Sequence, residues 1–158
     1  MTQKKRTYKI TDTILYNMES TARIAKARAH RLFEECKELG ITFNEYVILD
    51  NLQTNPKIHQ RDLAKLLFKG TANLSRDLDK LEQLGLIQRD VDIRAKRIVK
   101  TLTLTQKGLN LCQKASKMAM DDIQDIESTF SDDELQTFAT LISKLRNRLI
   151  QDDSMFFS

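Results

Sequence analysis

The chain has 158 residues, 41% of them hydrophobic, and a net charge of +4, so it can bury one proper core. A single proline and four glycines leave little material for a many-turned sheet, and abundant Leu, Lys, Glu, Gln and Ala predict a mainly α protein. Three absences, of a long apolar window for spanning a membrane, of a secretory h-region behind the basic start MTQKKRTYKI and of a disulfide framework from only Cys36 and Cys112, point to a cytoplasmic chain with reduced thiols.

In chain order, a first helix is expected from about Thr11 or Asp12 to Leu39. Ile14, Leu15, Met18, Ala22, Ala25, Ala29, Leu32, Phe33, Cys36 and Leu39 keep its apolar period, and Gly40 stops it. The second starts on a Thr42/Glu45 capping box, with Ile41 stapling on Tyr46. It runs through Val47, Ile48 and Leu49 to Leu52 and ends before Pro56. A short helix over Ile58–Phe68 turns Leu63, Ala64, Leu66 and Leu67 inward, and His59 falls at an N-cap position. After a turn at Gly70, Thr71–Leu84 forms a helix with Leu74, Leu78, Leu81 and Leu84 inward, closed by Gly85.

From Leu86 the period changes. Asp90–Ala95 reads as a tight turn region and the residues from Val99 to Leu104 alternate as a strand would, which predicts a two-stranded wing with its tip near Asp92–Lys96. A long helix then carries Leu109, Cys112, Ala115, Ala119, Ile123 and Ile126. The last begins at a Ser131/Glu134 capping box beside a Phe130/Leu135 staple and shows Leu135, Phe138, Leu141, Ile142, Leu145 and Leu149.

Helix, turn, helix and basic hairpin make a device shaped to read duplex DNA. The charge supports it. Residues 56–107 hold 12 lysines and arginines against 6 acids, whereas residues 108–158 hold 5 against 9. With Leu74, Leu78 and Leu81 inward, the outward edge of the second helix of the pair comprises Thr71, Ala72, Asn73, Ser75, Arg76 and, a turn on, Lys80. Asn73 suits adenine and Arg76 suits guanine or phosphate; Thr71 and Ser75 suit phosphate, and Ala72 a thymine methyl. In the wing, Arg94, Lys96, Arg97 and Lys100 lie within a few residues, and an arginine of such a tip fits a narrow minor groove. Lys96 and Lys100 read equally well as solvated turn charges. Gly70 in the turn is expected to let the two helices cross closely.

These residues resemble the MarR family of bacterial winged helix-turn-helix regulators. Leu63-Ala64, Asn73-Leu74-Ser75-Arg76, Leu81-Glu82-x-x-Gly85-Leu86-Ile87-x-Arg89 and Leu104-Thr105-x-Lys107-Gly108 carry the likeness, which extends over about residues 10–150. The family's Asp-x-Arg wing pattern is irregular here. Asp92-Ile93-Arg94 lies too far from Leu104-Thr105, and Arg97, at nearer spacing, has Ala95 in place of the acid, so Arg94 and Arg97 are kept as alternative wing-tip readers.

The resemblance implies a single MarR-type domain over 1–158. Within it, a winged helix-turn-helix lobe spans 41–108, with the helix-turn-helix at about 58–84 and the wing at about 87–105, and dimerisation helices span 10–39 and 106–150. It also implies a homodimer on a pseudo-palindromic operator, acting as a repressor that a small aromatic or phenolic effector releases. The first and the last two helices carry more apolar face than one lobe can cover, and the tail Met155-Phe156-Phe157 also calls for cover.

Other family members respond to oxidation of a cysteine near the start of the first helix, where this chain has none. Cys36 and Cys112 read as packed thiols, with a thiol-responsive regulator as the alternative. His30 and His59 are too few and too isolated for a metal site, and no cofactor is implied. Two rivals remain. A winged helix used for protein–protein contact would need no basic Arg76, Arg94 and Arg97. An enzyme would need a phosphate loop, nucleophile motif or metal-ligand cluster, none of which the sequence contains.

Overall fold

Six α-helices and three short strands follow one another in a computed structural model that describes the backbone of residues 9–94 and 97–151 and the side chains of 9–90 and 101–150. Met155, Phe156 and Phe157 lie outside the described residues. The chain forms two compact units, one ending at Phe43 and the other beginning at Asn44. Among the described residues no helix is long and apolar enough to cross a membrane, and no group of His, Cys, Asp and Glu could hold a metal ion.

In the first unit, Ile10–Asp12 is a 3-10 turn and Thr13 is the N-cap, its hydroxyl accepting from the Tyr16 amide at 3.3 Å. Helix α1 runs Ile14–Glu35, four residues short of the expected end. Cys36 takes ψ 62°, which no α-helix continues, so Lys37–Leu39 tightens into a 3-10 turn that Gly40 closes at φ 64°. Phe33 is buried, with Phe43 edge-on at 5.6 Å, and His30 packs edge-on to the same ring at 6.0 Å. Leu39 of the expected apolar stripe is also buried, but the start of the stripe is uncovered: Ile14 is 66% exposed and Leu15 51%.

The second unit holds the core. Helix α2 (Phe43–Thr54) brings in Ile48, Leu49 and Leu52, and α3 (Gln60–Leu66) adds Leu63 and Ala64. From α4 (Thr71–Gln83) come Leu74, Leu78 and Leu81, each with no exposed surface. Leu66 and Leu84, expected inward, are exposed instead, because each falls where its helix ends and its face has rotated off the core. Each fully buried leucine contributes about 2 kcal/mol of apolar transfer.

Ile58–His59 is a strand rather than a helix start. After a turn with Pro56 at its second position and Lys57 at φ 62°, these two residues form β1, pairing with Leu102 and Thr101. His59 nevertheless stands as the N-cap of α3, without a side-chain cap bond. Strands β2 (Ile87–Arg94) and β3 (Arg97–Leu104) pair antiparallel from Ile87↔Leu104 to Arg94↔Arg97, giving the order β1-β3-β2. The expected tight turn over Asp90–Ala95 is thus mostly strand, since residues up to Arg94 find ladder partners.

The left-handed residue between α3 and α4 is Phe68, at φ 49°, not Gly70. A Cβ on Gly70 would meet nothing within 4 Å, so no close helix crossing depends on it. Gly108 supplies the close approach. It is buried in the first turn of α5 (Gln106–Glu127), where a Cβ would lie 2.0 Å from the Leu86 carbonyl oxygen. Helix α6 (Asp132–Gln151) opens on the expected box: the Ser131 amide donates to Glu134 Oε2 at 2.9 Å, and the Glu134 amide donates to Ser131 Oγ at 3.4 Å. The Ser131 amide, and then the Ser131 hydroxyl donating to the same Oε2 at 3.0 Å, hold the Glu134 carboxyl below its ordinary range.

Cys112 is fully buried on α5, its thiol donating to Gln53 Oε1 at 3.3 Å. Burial, then the nearby Asp50 charge, pushes its pKa up to about 11. The thiolate is the reactive form, so Cys112 should alkylate in the native protein at least about 100-fold more slowly than an ordinary thiol at pH 8. Mass spectrometry of iodoacetamide-treated native and unfolded protein reads this directly. Comparable native and unfolded rates at Cys112 would contradict the burial and make it a candidate sensor.

Candidate nucleic-acid interface

Helix α4 presents the expected edge. Its N-cap, Gly70, is extended and lends no side chain, so the first-turn amides point outward unclaimed by a cap. Thr71, Ala72, Asn73 and Arg76 are exposed and Ser75 is half-buried, while Leu74 and Leu78 anchor the opposite face. Phe68, Lys69, Gly70, Asn73, Arg76 and Asp77, with Asn44 of α2, line an open hollow of about 430 Å³ beside this end of the helix.

The helix carries three carboxylates, which a DNA-facing element must neutralise. Asp77 is paired with Lys69 Nζ at 2.8 Å. Asp79 and Glu82 are both held by Arg89 of β2, at 2.7 and 2.9 Å. Arg89 is only 18% exposed and also reaches the Ser75 carbonyl at 3.5 Å, so one guanidinium ties the base of the wing to the middle of α4. Lys80, placed on the reading edge by the helical wheel, has its ammonium 2.7 Å from Glu45 Oε1, and Glu45 is buried. Arg76 is therefore the cation of α4 that no carboxylate claims among the described residues. Its Nη2 donates instead to Asn73 Oδ1, one turn back.

A second set of bonds fixes where α4 ends. Thr105 Oγ1 donates to the Gly85 carbonyl at 2.7 Å and accepts from the Gly108 amide at 3.1 Å. The Thr105 amide donates to the Leu86 carbonyl at 3.1 Å, and Lys107 Nζ to that of Leu84 at 2.7 Å. The Leu-Thr-x-Lys-Gly run thus clamps the chain leaving α4, with Gly85 at φ 67° completing the turn.

Arg94 and Arg97 are direct register partners at the last rung of the hairpin, flanking residues 95 and 96. Their spacing made them look like alternatives, yet the ladder puts them at one level. Lys96 lies outside the described residues. Arg89, Lys69 and Lys107 carry positioning roles that the helical wheel did not assign. Arg89 was visible only as a motif letter, because its partners lie on another element.

Residues 39–98 match the MarR family. Over that stretch the chain is similar to MarR-family transcriptional regulators. It is 29% identical over 118 residues to YybA of Bacillus subtilis (strain 168), an uncharacterized HTH-type transcriptional regulator, covering 75% of this chain and 78% of that protein. Among solved structures, the transcriptional regulator SlyA superposes with a TM-score of 0.76 at 27% identity, over 88% of this chain and 95% of that one. The S. aureus MepR–DNA complex has a TM-score of 0.75 at 24% identity, over 89% and 99%. The family and these relatives are regulators, not enzymes, and the winged-helix fold is the one that they share.

Proposed function

We propose that this chain is a MarR-type, sequence-specific duplex-DNA-binding repressor. It acts as a homodimer on a pseudo-palindromic operator and is released by a small aromatic or phenolic effector. The observation that carries the reading is α4. Every one of its carboxylates is neutralised by a cation from outside the helix, and Arg76 is claimed by no carboxylate among the described residues, its Nη2 donating to the neutral Asn73 beside Thr71, Ala72 and Ser75. In the groove, Thr71 and Ser75 bond phosphate, Ala72 meets a thymine methyl and Arg76 reads guanine. Arg94, Lys96 and Arg97 bring positive charge to the minor groove from the wing. Lys80 serves DNA indirectly, through Glu45.

The dimer is supported by uncovered apolar side chains at both ends of the chain. Ile10, Ile14, Leu15 and Ile24 are exposed in the first unit; in the second, Phe130, Phe138 and Leu141 line an apolar groove of about 610 Å³. Helices over 10–39 and 106–150 are the dimerisation elements in this reading, and sedimentation should give a dimer at micromolar concentration.

Selection of bound duplexes from a random pool tests the function. A palindromic consensus is expected, with affinity falling steeply as salt rises. Arg76→Ala should weaken binding to that operator by about 2 kcal/mol, roughly 30-fold. A pool that yields no consensus, or equal affinity of the wild-type and Arg76→Ala proteins, would sink the assignment.

A further inference from the structure

We propose that Asn73 and Arg76 act as one reading unit that chiefly donates hydrogen bonds, with Asn73 a positioning residue for the Arg76 guanidinium. This rests on the reading of α4 as the DNA-reading helix and specifies which base edges it accepts. Arg76 Nη2 donates to Asn73 Oδ1 across one helical turn. A guanidinium has no acceptor, so the amide must turn its oxygen, not its nitrogen, toward Arg76. That fixes the orientation of Asn73 by chemistry alone.

Two consequences follow. The bidentate contact of an asparagine with adenine needs both ends of the amide on one base edge, the oxygen accepting from N6–H and the nitrogen donating to N7. With its oxygen tethered to Arg76 through one of its two lone pairs, the amide is not free to lay both ends on one adenine, and Asn73 offers the groove chiefly its Nδ2–H groups. Arg76 keeps four of its five N–H donors for the groove, and no carboxylate draws it away, since Asp77 is held by Lys69 and Asp79 by Arg89. The unit therefore matches adjacent acceptors: O6 and N7 of a guanine for Arg76, and an N7 or a thymine O4 for Asn73. An operator read this way has a guanine facing Arg76 and no requirement for adenine at the Asn73 position. Because the pair is formed without DNA, the long arginine is ordered before it binds, which lowers the entropic cost of the contact.

A double-mutant cycle on the selected operator tests the coupling. Asn73→Ala should weaken specific binding about 10-fold in the wild-type background and less than about 2-fold in the Arg76→Ala background. Repeating the selection with Asn73→Ala should relax the guanine preference although Arg76 is intact. Equal costs of Asn73→Ala in both backgrounds, with guanine still selected, would overturn the pair and leave two independent readers. So would an adenine that disappears only in Asn73→Ala. If Arg76→Ala leaves operator affinity unchanged, the reading of α4 fails and the pair falls with it, a result distinct from additivity. Both side chains are exposed, so thermal unfolding of the variants should match the wild type and separate a binding defect from a folding one.

Discussion

Gly108→Ala is expected to destabilise the chain by about 3 kcal/mol, lowering the urea midpoint and abolishing operator binding in the same preparation. The added methyl would sit 2.0 Å from the Leu86 carbonyl oxygen and 2.9 Å from its carbonyl carbon, and both are backbone atoms with nowhere to go. Leu86 cannot retreat. Its amide donates to the Leu81 carbonyl at 2.9 Å and its carbonyl accepts from Thr105 at 3.1 Å, so the same residue closes α4 and opens the wing. Any accommodation would displace α5 from the sheet or α4 from its seat, and binding would suffer along with stability. Gly70→Ala is the matching control. A Cβ there meets nothing within 4 Å, so only the N-cap preference is lost, under about 1 kcal/mol. Equal midpoints for the two variants would show that α5 does not approach Leu86 as described.

How much of this was readable in advance depended on whether the cause was local. The inward Leu74, Leu78 and Leu81 follow from spacing along one helix, and the Ser131/Glu134 cap from four consecutive residues, and both formed as expected. The missed features depend on partners distant in sequence. Ile58 and His59 have the apolar period of a helix start; they are a strand only because β3 offers an open edge at Leu102 and Thr101. Gly70 was expected to let the helices cross closely, yet nothing packs against it, and the left-handed residue of the turn is Phe68, half-exposed. Gly108 looked like punctuation and is instead a place where two backbones touch. The wing register was misjudged for a related reason. Asp90, Asp92 and Arg94 have the polarity of a turn, whereas each has a ladder partner on β3. That ladder sets Arg94 and Arg97 opposite each other on its last rung.

Lys80 is the case where local reading and structure assign different tasks to the same side chain, and the two tasks have different signatures. Lys80→Met is expected to cost about 2 kcal/mol of stability, because it removes the ammonium that lies 2.7 Å from the carboxylate of Glu45, a residue only 4% exposed. The value lies below that for breaking a fully buried pair because Lys80 itself is half-exposed, water reaches that side of the bridge, and Glu45 keeps its other contacts. Adding Glu45→Gln to Lys80→Met should recover most of the loss: a neutral amide keeps hydrogen-bonding capacity and no longer needs a counter-charge. A lysine on a phosphate would behave otherwise. Its removal would leave the urea midpoint unchanged, weaken binding about evenly across sequences and reduce the salt slope by about one. If Lys80→Met shows that second pattern, with no rescue by Glu45→Gln, the ammonium belongs to the DNA and not to α2. The structure favours the first pattern, because the Lys80 ammonium lies 2.7 Å from Oε1 of the buried Glu45.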